Sequence, residues 1–302
     1  MKRKYVFLLA VVFILNSCKK EKELEIDKQE NPRKLSGGAT TIDQPNSFAF
    51  SSPAPNLSGL NLDQHLAGDA AFEQVFVTPP VVVNQGLGPI FNNNSCIACH
   101  PKDGRAPHPN NLNGFTGLFI RASILGTGVH GGPNPVPGFG GQIQQNAVLG
   151  TQAEAEFSVS YSFTTVTMDD GETVILRKPV YYLTSTYVPL PAQTMLSPRV
   201  GPPVFGLGLL EAIPEANIVA LSDINDDNRD GISGKPNYVW NEQTNCLELG
   251  RFGWKGINPT VLQQCAGAYN DDMGVTNPYF PVESSFGQSN FTDNLLNDPE
   301  LS

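Results

Sequence analysis

Hydrophobic positions along the chain change period from stretch to stretch, and each period predicts a different element. Tyr5 to Leu15 is a continuous apolar run behind the basic residues Lys2, Arg3 and Lys4. That is the layout of an export signal over residues 1–17, too short for a comfortable membrane span. Lys19 to Ser36 is charged and poor in apolar residues, and it reads as a flexible tether. Gly37 to Leu60, rich in Ser, Pro, Asn and Gly, reads as extended surface structure. From Asn61 to Phe76 a helix is predicted, with Leu62, Leu66, Ala70, Phe72 and Phe76 on an imperfect apolar face broken by Gly68.

The clearest periodicity comes later. Phe157, Val159, Tyr161 and Phe163 alternate with Ser158, Ser160 and Ser162, the period of a half-buried strand. Asp170-Gly171 supplies a turn, and Thr173 to Leu183 forms the returning strand, with Pro179 marking an edge or bulge. Pro214 fits the first position of a helix carrying Ala216, Ile218, Val219 and Leu221, and Asn258-Pro259 opens another that runs to about Tyr269. Ahead of the hairpin, Gly126 to Gly141 is crowded with Gly and Pro and has no period; His130 lies within it.

Composition adjusts this picture in two ways. The 29 Gly and 25 Pro of the 302 residues indicate a loop-rich globular protein rather than low complexity. Removing the signal takes away three basic residues, so 19 Lys plus Arg become 16 against 29 Asp plus Glu, a formal charge of −13. Such a chain is not expected to bind nucleic acid. At the end of the signal, Leu15-Asn16-Ser17-Cys18 resembles the lipobox of bacterial lipoproteins. It implies cleavage before Cys18, acylation of that thiol, and a membrane anchor on the periplasmic side or at the surface of the outer membrane.

Candidate chemistry centres on Asn92 to Arg105, where Cys96 and Cys99 are three apart and His100 follows directly. In the C-x-x-C-H pattern two thiols form thioethers to haem vinyls and the imidazole binds iron. Attachment at two points brings the next side chain under the metal. Export supports this reading, and so does the lack of a partner C-x-x-C or His pair at zinc spacing. Lys102 and Arg105 are candidates to pair with haem propionates.

A second pattern is weaker. Asp226, Asn228 and Asp230 alternate before Gly231, the first half of a calcium loop, although its twelfth position is Asn237 rather than Glu. Cys246 and Cys265 belong to no motif, and in an oxidising compartment a disulfide between them is expected.

The blocks GLGPIFNNNSCIACH, HGGPNPVPGFGGQIQ, SPRVGPPVFGLGLLEAIPEA, DDNRDGISGKPN and LGRFGWKGINPTVLQQCAGAYNDDMGVTNPYFP carry a resemblance to the bacterial di-haem oxidoreductase family, described as peroxidases or thiol oxidoreductases. The resemblance spans roughly residues 60 to 285. It implies covalent haem c at Cys96 and Cys99 with His100 as axial ligand, in a domain followed by a polar tail over 286–302.

The family pattern usually continues into a second C-x-x-C-H half, whereas this chain has one such motif, so a truncated or split two-haem protein or a single-haem relative is expected. The fold expected from these readings is α+β and loop-rich: a cytochrome c-like helical haem site, a β-hairpin insertion and a helical carboxyl-terminal part. Three functions stay open: an oxidoreductase with an open sixth iron position, an electron-transfer cytochrome with both axial positions filled, and a surface binding module linked to haem or iron acquisition. For the sixth ligand the candidates are Met168, Met195, Met273, His65, His108 and His130, with Met273 and His130 favoured as members of the family-like blocks. The expected partner is a redox protein or a chain supplying a second haem.

Overall fold

The computed structural model describes residues 36–109, 116–291 and 299–301. The export signal, Cys18 and nearly all of the tether lie outside these residues. Residues 36–43 and 54–56 belong to one small unit, whose described part is a short turn in which the Thr40 hydroxyl donates to the Gly37 carbonyl at 2.7 Å. Everything else described belongs to a second unit comprising 44–53 and 57–302.

In that larger unit the chain forms helix α1 (Leu60–Glu73), strand β1 (Ile90–Phe91), the one-turn helix α2 (Cys96–Cys99) and strands β2 (Leu118–Thr127), β3 (Pro133–Asn134), β4 (Gln142–Ile143) and β5 (Asn146–Ala147). Two long strands follow, β6 (Glu156–Thr167) and β7 (Thr173–Thr184), and then β8 (Met195–Val200). Helices α3 (Leu207–Glu211) and α4 (Glu215–Val219), strands β9 (Tyr238–Asn241) and β10 (Cys246–Leu249), and helix α5 (Val261–Met273) complete the order. Strands account for 26% of the described residues and helices for 20%, which overturns the expected cytochrome c-like helical architecture. The physical reason is local. His100 leaves helical geometry at φ −121° and Pro101 follows it, so the haem-motif helix stops after one turn. The surroundings of His100 are then completed by strand and helix residues together, among them Phe119 of β2, Arg199 of β8 and Asp272 of α5.

β2 is the hub. It pairs antiparallel with β3 and β4 along different parts of its length, and with β8 from Leu118↔Val200 to Ser123↔Met195. Its residues Leu118, Ile120 and Ala122 alternate into the interior. There Ile120 and Ala122 meet Val136, Phe139, Ile143, Ala155 and Phe157 in the larger core cluster. A smaller cluster of Phe76, Leu87, Met273 and Val275 packs against Cys96 and Tyr269.

The predicted hairpin is present as β6 and β7, in register from Glu156↔Thr184 to Thr167↔Thr173, with Asp170 and Gly171 in the turn. Its alternation is not matched by burial beyond the first residues, and Phe163 and Ile175 are exposed. The predicted amino-terminal helix forms as α1 and ends at Glu73, with no buried residue, while Phe76 beyond it enters the smaller core cluster. α5 starts three residues later than predicted because Thr260 caps it, its hydroxyl accepting from Gln263 N at 3.1 Å. It ends at Gly274, whose left-handed φ of 64° closes the helix.

Two stretches predicted as surface chain carry packed aromatic or apolar side chains. Phe50 stacks on Phe205 at 4.0 Å, and Leu301 packs against the smaller core cluster.

Candidate functional site

The sequence from Ser95 onward sets the site up one residue at a time. The Ser95 hydroxyl caps α2 by accepting from Ala98 N at 3.3 Å, which holds Cys96 and Cys99 on a single helical turn. Cys99 is buried and Cys96 half-buried. Burial pushes both thiols up to about 12, with Cys265 and Asp272 adding to the shift at Cys96, and Asp272 acting in the same direction at Cys99.

His100 Nδ1 lies 2.8 Å from the Pro202 carbonyl oxygen, just beyond β8. Only a protonated Nδ1 can donate to a carbonyl, so the neutral ring presents its lone pair on Nε2. Burial holds the imidazole below its ordinary pKa, which keeps it neutral and able to act as a ligand. Phe72 of α1 lies 6.2 Å from the ring, so α1 does pack beside the haem motif.

Gly201 is glycine for a steric reason. A Cβ there would lie 3.1 Å from His100 Cε1 and 3.5 Å from Cys99 O. Gly201→Ala is therefore expected to push the imidazole off the Pro202 carbonyl. Loss of such an orienting contact weakens retention of a bound group about 10- to 100-fold, to be read from the visible spectrum and the cofactor content of the purified variant.

His100 lines a cavity of about 530 Å³, within the range for small-molecule sites. Phe119, Phe252 and Phe280 give it apolar wall, and Arg121, Arg199, Asp271 and Asp272 give it charge. Arg121 pairs with Asp271 at 2.7 Å. Gln142 Nε2 reaches Asp272 Oδ1 at 2.7 Å and Asn92 Oδ1 at 2.6 Å, tying the end of α5 to the segment that leads into Cys96. Backbone bonds reinforce the tie, because the Asp272 carbonyl accepts from Asn92 N at 2.8 Å and Asn93 N at 3.0 Å. Burial pushes the Asp272 carboxyl up to about 7, and neighbouring Asp271 adds to the shift. Sequence reasoning missed Arg121, Asp271 and Asp272. They stand in a strand and a helix end whose meeting depends on tertiary contacts alone.

The remaining candidates are dispersed. Cys96 and Cys99 stand next to His100 in sequence but are not part of the cavity lining. His130, in left-handed geometry at φ 61°, stacks on Trp240 at 3.7 Å. His108 sits edge-on to Tyr161, and His65 is on α1. Met273 is buried in the smaller core cluster, while Met168 and Met195 are exposed. Lys102 lies over the Phe48 ring and donates to Ser47 Oγ at 2.7 Å, and it does not line the cavity.

Cys246 and Cys265 are both free thiols, so the expected disulfide is not formed. Cys246 turns toward Thr244 and Glu248, whereas Cys265 on α5 is near enough to Cys96 to affect its thiol. In the Asp226–Gly231 loop the side chains serve backbone amides. Asp226 accepts from Gly231 N at 3.2 Å, Asn228 from Asp230 N at 2.9 Å, and Asp230 from Ile232 N at 2.8 Å. Among the described residues no group of three or more His, Cys, Asp or Glu side chains is arranged to hold a metal ion.

His100 therefore presents a neutral ring nitrogen at the wall of a cavity of small-molecule size. The chain belongs to the family described as di-haem oxidoreductase, putative peroxidase, whose model matches residues 31–298. Haem is the group this membership implies, and the neutral nitrogen donor and apolar walls fit it. No curated protein and no solved structure matches the chain.

Proposed function

We propose that this protein is an exported, lipid-anchored haem oxidoreductase of peroxidase type, with haem c joined to Cys96 and Cys99 and held by His100. The observation that carries the reading is the lining of the His100 cavity. All four His and every Met beyond Met1 lie in the described residues, and His100 is the one among them that borders it. Haem bound there would be held by His100 and would supply redox chemistry. Met273 and His130 are held elsewhere, by core packing and by stacking on Trp240, which supports an oxidoreductase over an electron-transfer cytochrome.

The chain's own residues then divide the work. His100, oriented by Pro202, would hold the haem through its free ring nitrogen. Reduction of hydrogen peroxide breaks one O–O bond, takes two electrons and two protons, and releases two waters. The electrons come from a redox partner protein or a chain bearing a second haem. Asp272, on the cavity wall with a pKa near 7, takes a proton from entering peroxide when ionised. Its sign is fixed: the protonated carboxyl cannot accept, so the reaction with peroxide rises as pH climbs through about 7. Export and anchoring rest on the apolar run before Cys18.

The test is the absorption spectrum of the chain without its signal, made in a host with c-type maturation, before and after reduction and then peroxide. A haem that survives acid extraction and a high-spin band altered by peroxide are expected. Asp272→Asn should slow the peroxide reaction about 100-fold and abolish its rise near pH 7. A low-spin haem indifferent to peroxide would instead assign electron transfer.

A further inference from the structure

A second cavity, of about 490 Å³, adjoins the first and shares Arg199, Val200 and Trp254 with it. Arg105, Ala106, His108 and Pro198 complete its lining. Its charge is one-sided, with two guanidiniums, an imidazole and no lining carboxylate, in a chain of formal charge −10. In the larger cavity Arg121 is neutralised by Asp271. Among the described residues neither Arg105 nor Arg199 has such a partner.

One of the two guanidiniums is held in place by a ring contact. The Arg105 guanidinium lies 5.3 Å over the Trp254 ring, and Trp254 is fixed by its Nε1, which donates to the Val200 carbonyl at 2.7 Å. Arg199 extends from β8, paired opposite Phe119 of β2. His108 meets the edge of Tyr161, whose face carries the Arg177 guanidinium at 4.6 Å. These groups crowd one another electrostatically. Burial and then Arg121 lower the pKa of Arg199, and burial, Arg177 and Arg105 lower that of His108. A bound anion would relieve both. Guanidiniums take carboxylates through paired, charge-assisted hydrogen bonds, and the Trp254, Pro198 and Val200 surface suits an apolar body behind the charge.

We propose that this second cavity is a carboxylate-binding site opening on the His100 cavity, formed by Arg105, Arg199 and His108 against Trp254. Two sources can supply the carboxylate: the propionates of haem seated on His100, or a free amphiphilic acid. The first rests on the proposed function and the second does not.

The experiment titrates the chain, as isolated, with benzoate by calorimetry and measures its haem content and reduction potential separately, alongside Arg105→Gln, Arg199→Gln and the control Lys102→Gln. If free acids use the site, wild type binds benzoate and each arginine variant binds it at least tenfold more weakly, with the control unchanged. If propionates fill it, haem-loaded wild type excludes benzoate and each arginine variant has a lower haem potential, because a positive charge beside the haem has been removed. A chain isolated without haem fails the proposed function, yet its benzoate titration still decides this site. Absence of benzoate binding in haem-free protein, or haem-loaded variants with unchanged potential and no benzoate binding to wild type, overturns the proposal. Matching melting curves for the variants show that folding is intact.

Discussion

Replacing Cys96 and Cys99 together with alanine is expected to abolish haem retention after acid extraction, taking it from about one haem per chain, as the single C-x-x-C-H motif implies, to background. The reasoning is covalent. A histidine ligand alone releases its haem when acid protonates the imidazole, whereas two thioethers do not depend on pH. The chain should still fold, since alanine fits where either thiol sits and leaves the Ser95 cap of α2 in place. The measurement is the haem spectrum of the acid-washed protein beside a thermal melt. Haem that resists acid in the double variant would remove both cysteines from the proposal.

The largest expected effect on stability comes from Gly88→Ala. A Cβ at that position would stand 2.1 Å from the Gly274 carbonyl oxygen and 2.6 Å from its Cα, both backbone atoms that no rotamer change can move aside. The two segments are also joined by the Gly88 N–H, which donates to the Met273 carbonyl at 3.0 Å. Overpacking against backbone is expected to destabilise by about 3–5 kcal/mol, at the upper end for a single substitution. In a domain of this size that is a fall of roughly 10 °C in melting temperature, or failure to fold.

Gly68→Ala makes the contrast. That glycine sits in exposed α1 with nothing within 4 Å of a new Cβ, so the same change should stabilise by about 0.5–1 kcal/mol through helix propensity. A mild effect at Gly88 would mean that the two backbones part easily, and that α5 does not hold the segment leading into Cys96.

What could be read from the sequence follows the range of the forces involved. The C-x-x-C-H pattern could be picked out because the chemistry it stands for fixes three residues at one spacing, and the family membership it suggested is shown. The β6–β7 hairpin was legible because strand period and turn chemistry are both local. Helix α5 was placed but started early, since the Thr260 cap competes with the Pro259 signal.

The expected helical fold around His100 was not found, because the surroundings of that residue depend on where β8 lies, and Pro202 reaches His100 across 102 positions. Arg121 lies outside the family-like blocks and Asp272, though inside one, carries no spacing pattern of its own, so neither gave a local signal and both depend on the meeting of β2 with the end of α5. The expected disulfide followed from compartment alone, and compartment says nothing about which side chains meet. Phe50, in a stretch read as extended surface structure, stacks on Phe205 far along the chain.

The burial of the two motif thiols bears on the order of events during biogenesis. A thioether forms when a thiol adds across a vinyl double bond, its sulfur to one carbon and its proton to the other, and the thiolate is the reactive species. With both groups pushed up to about 12, the finished fold presents almost none. On the proposed reading, attachment would belong to the still-open chain, before the end of α5 bonds to residues 88–93, and a chain that folds first would be slow to take up its cofactor.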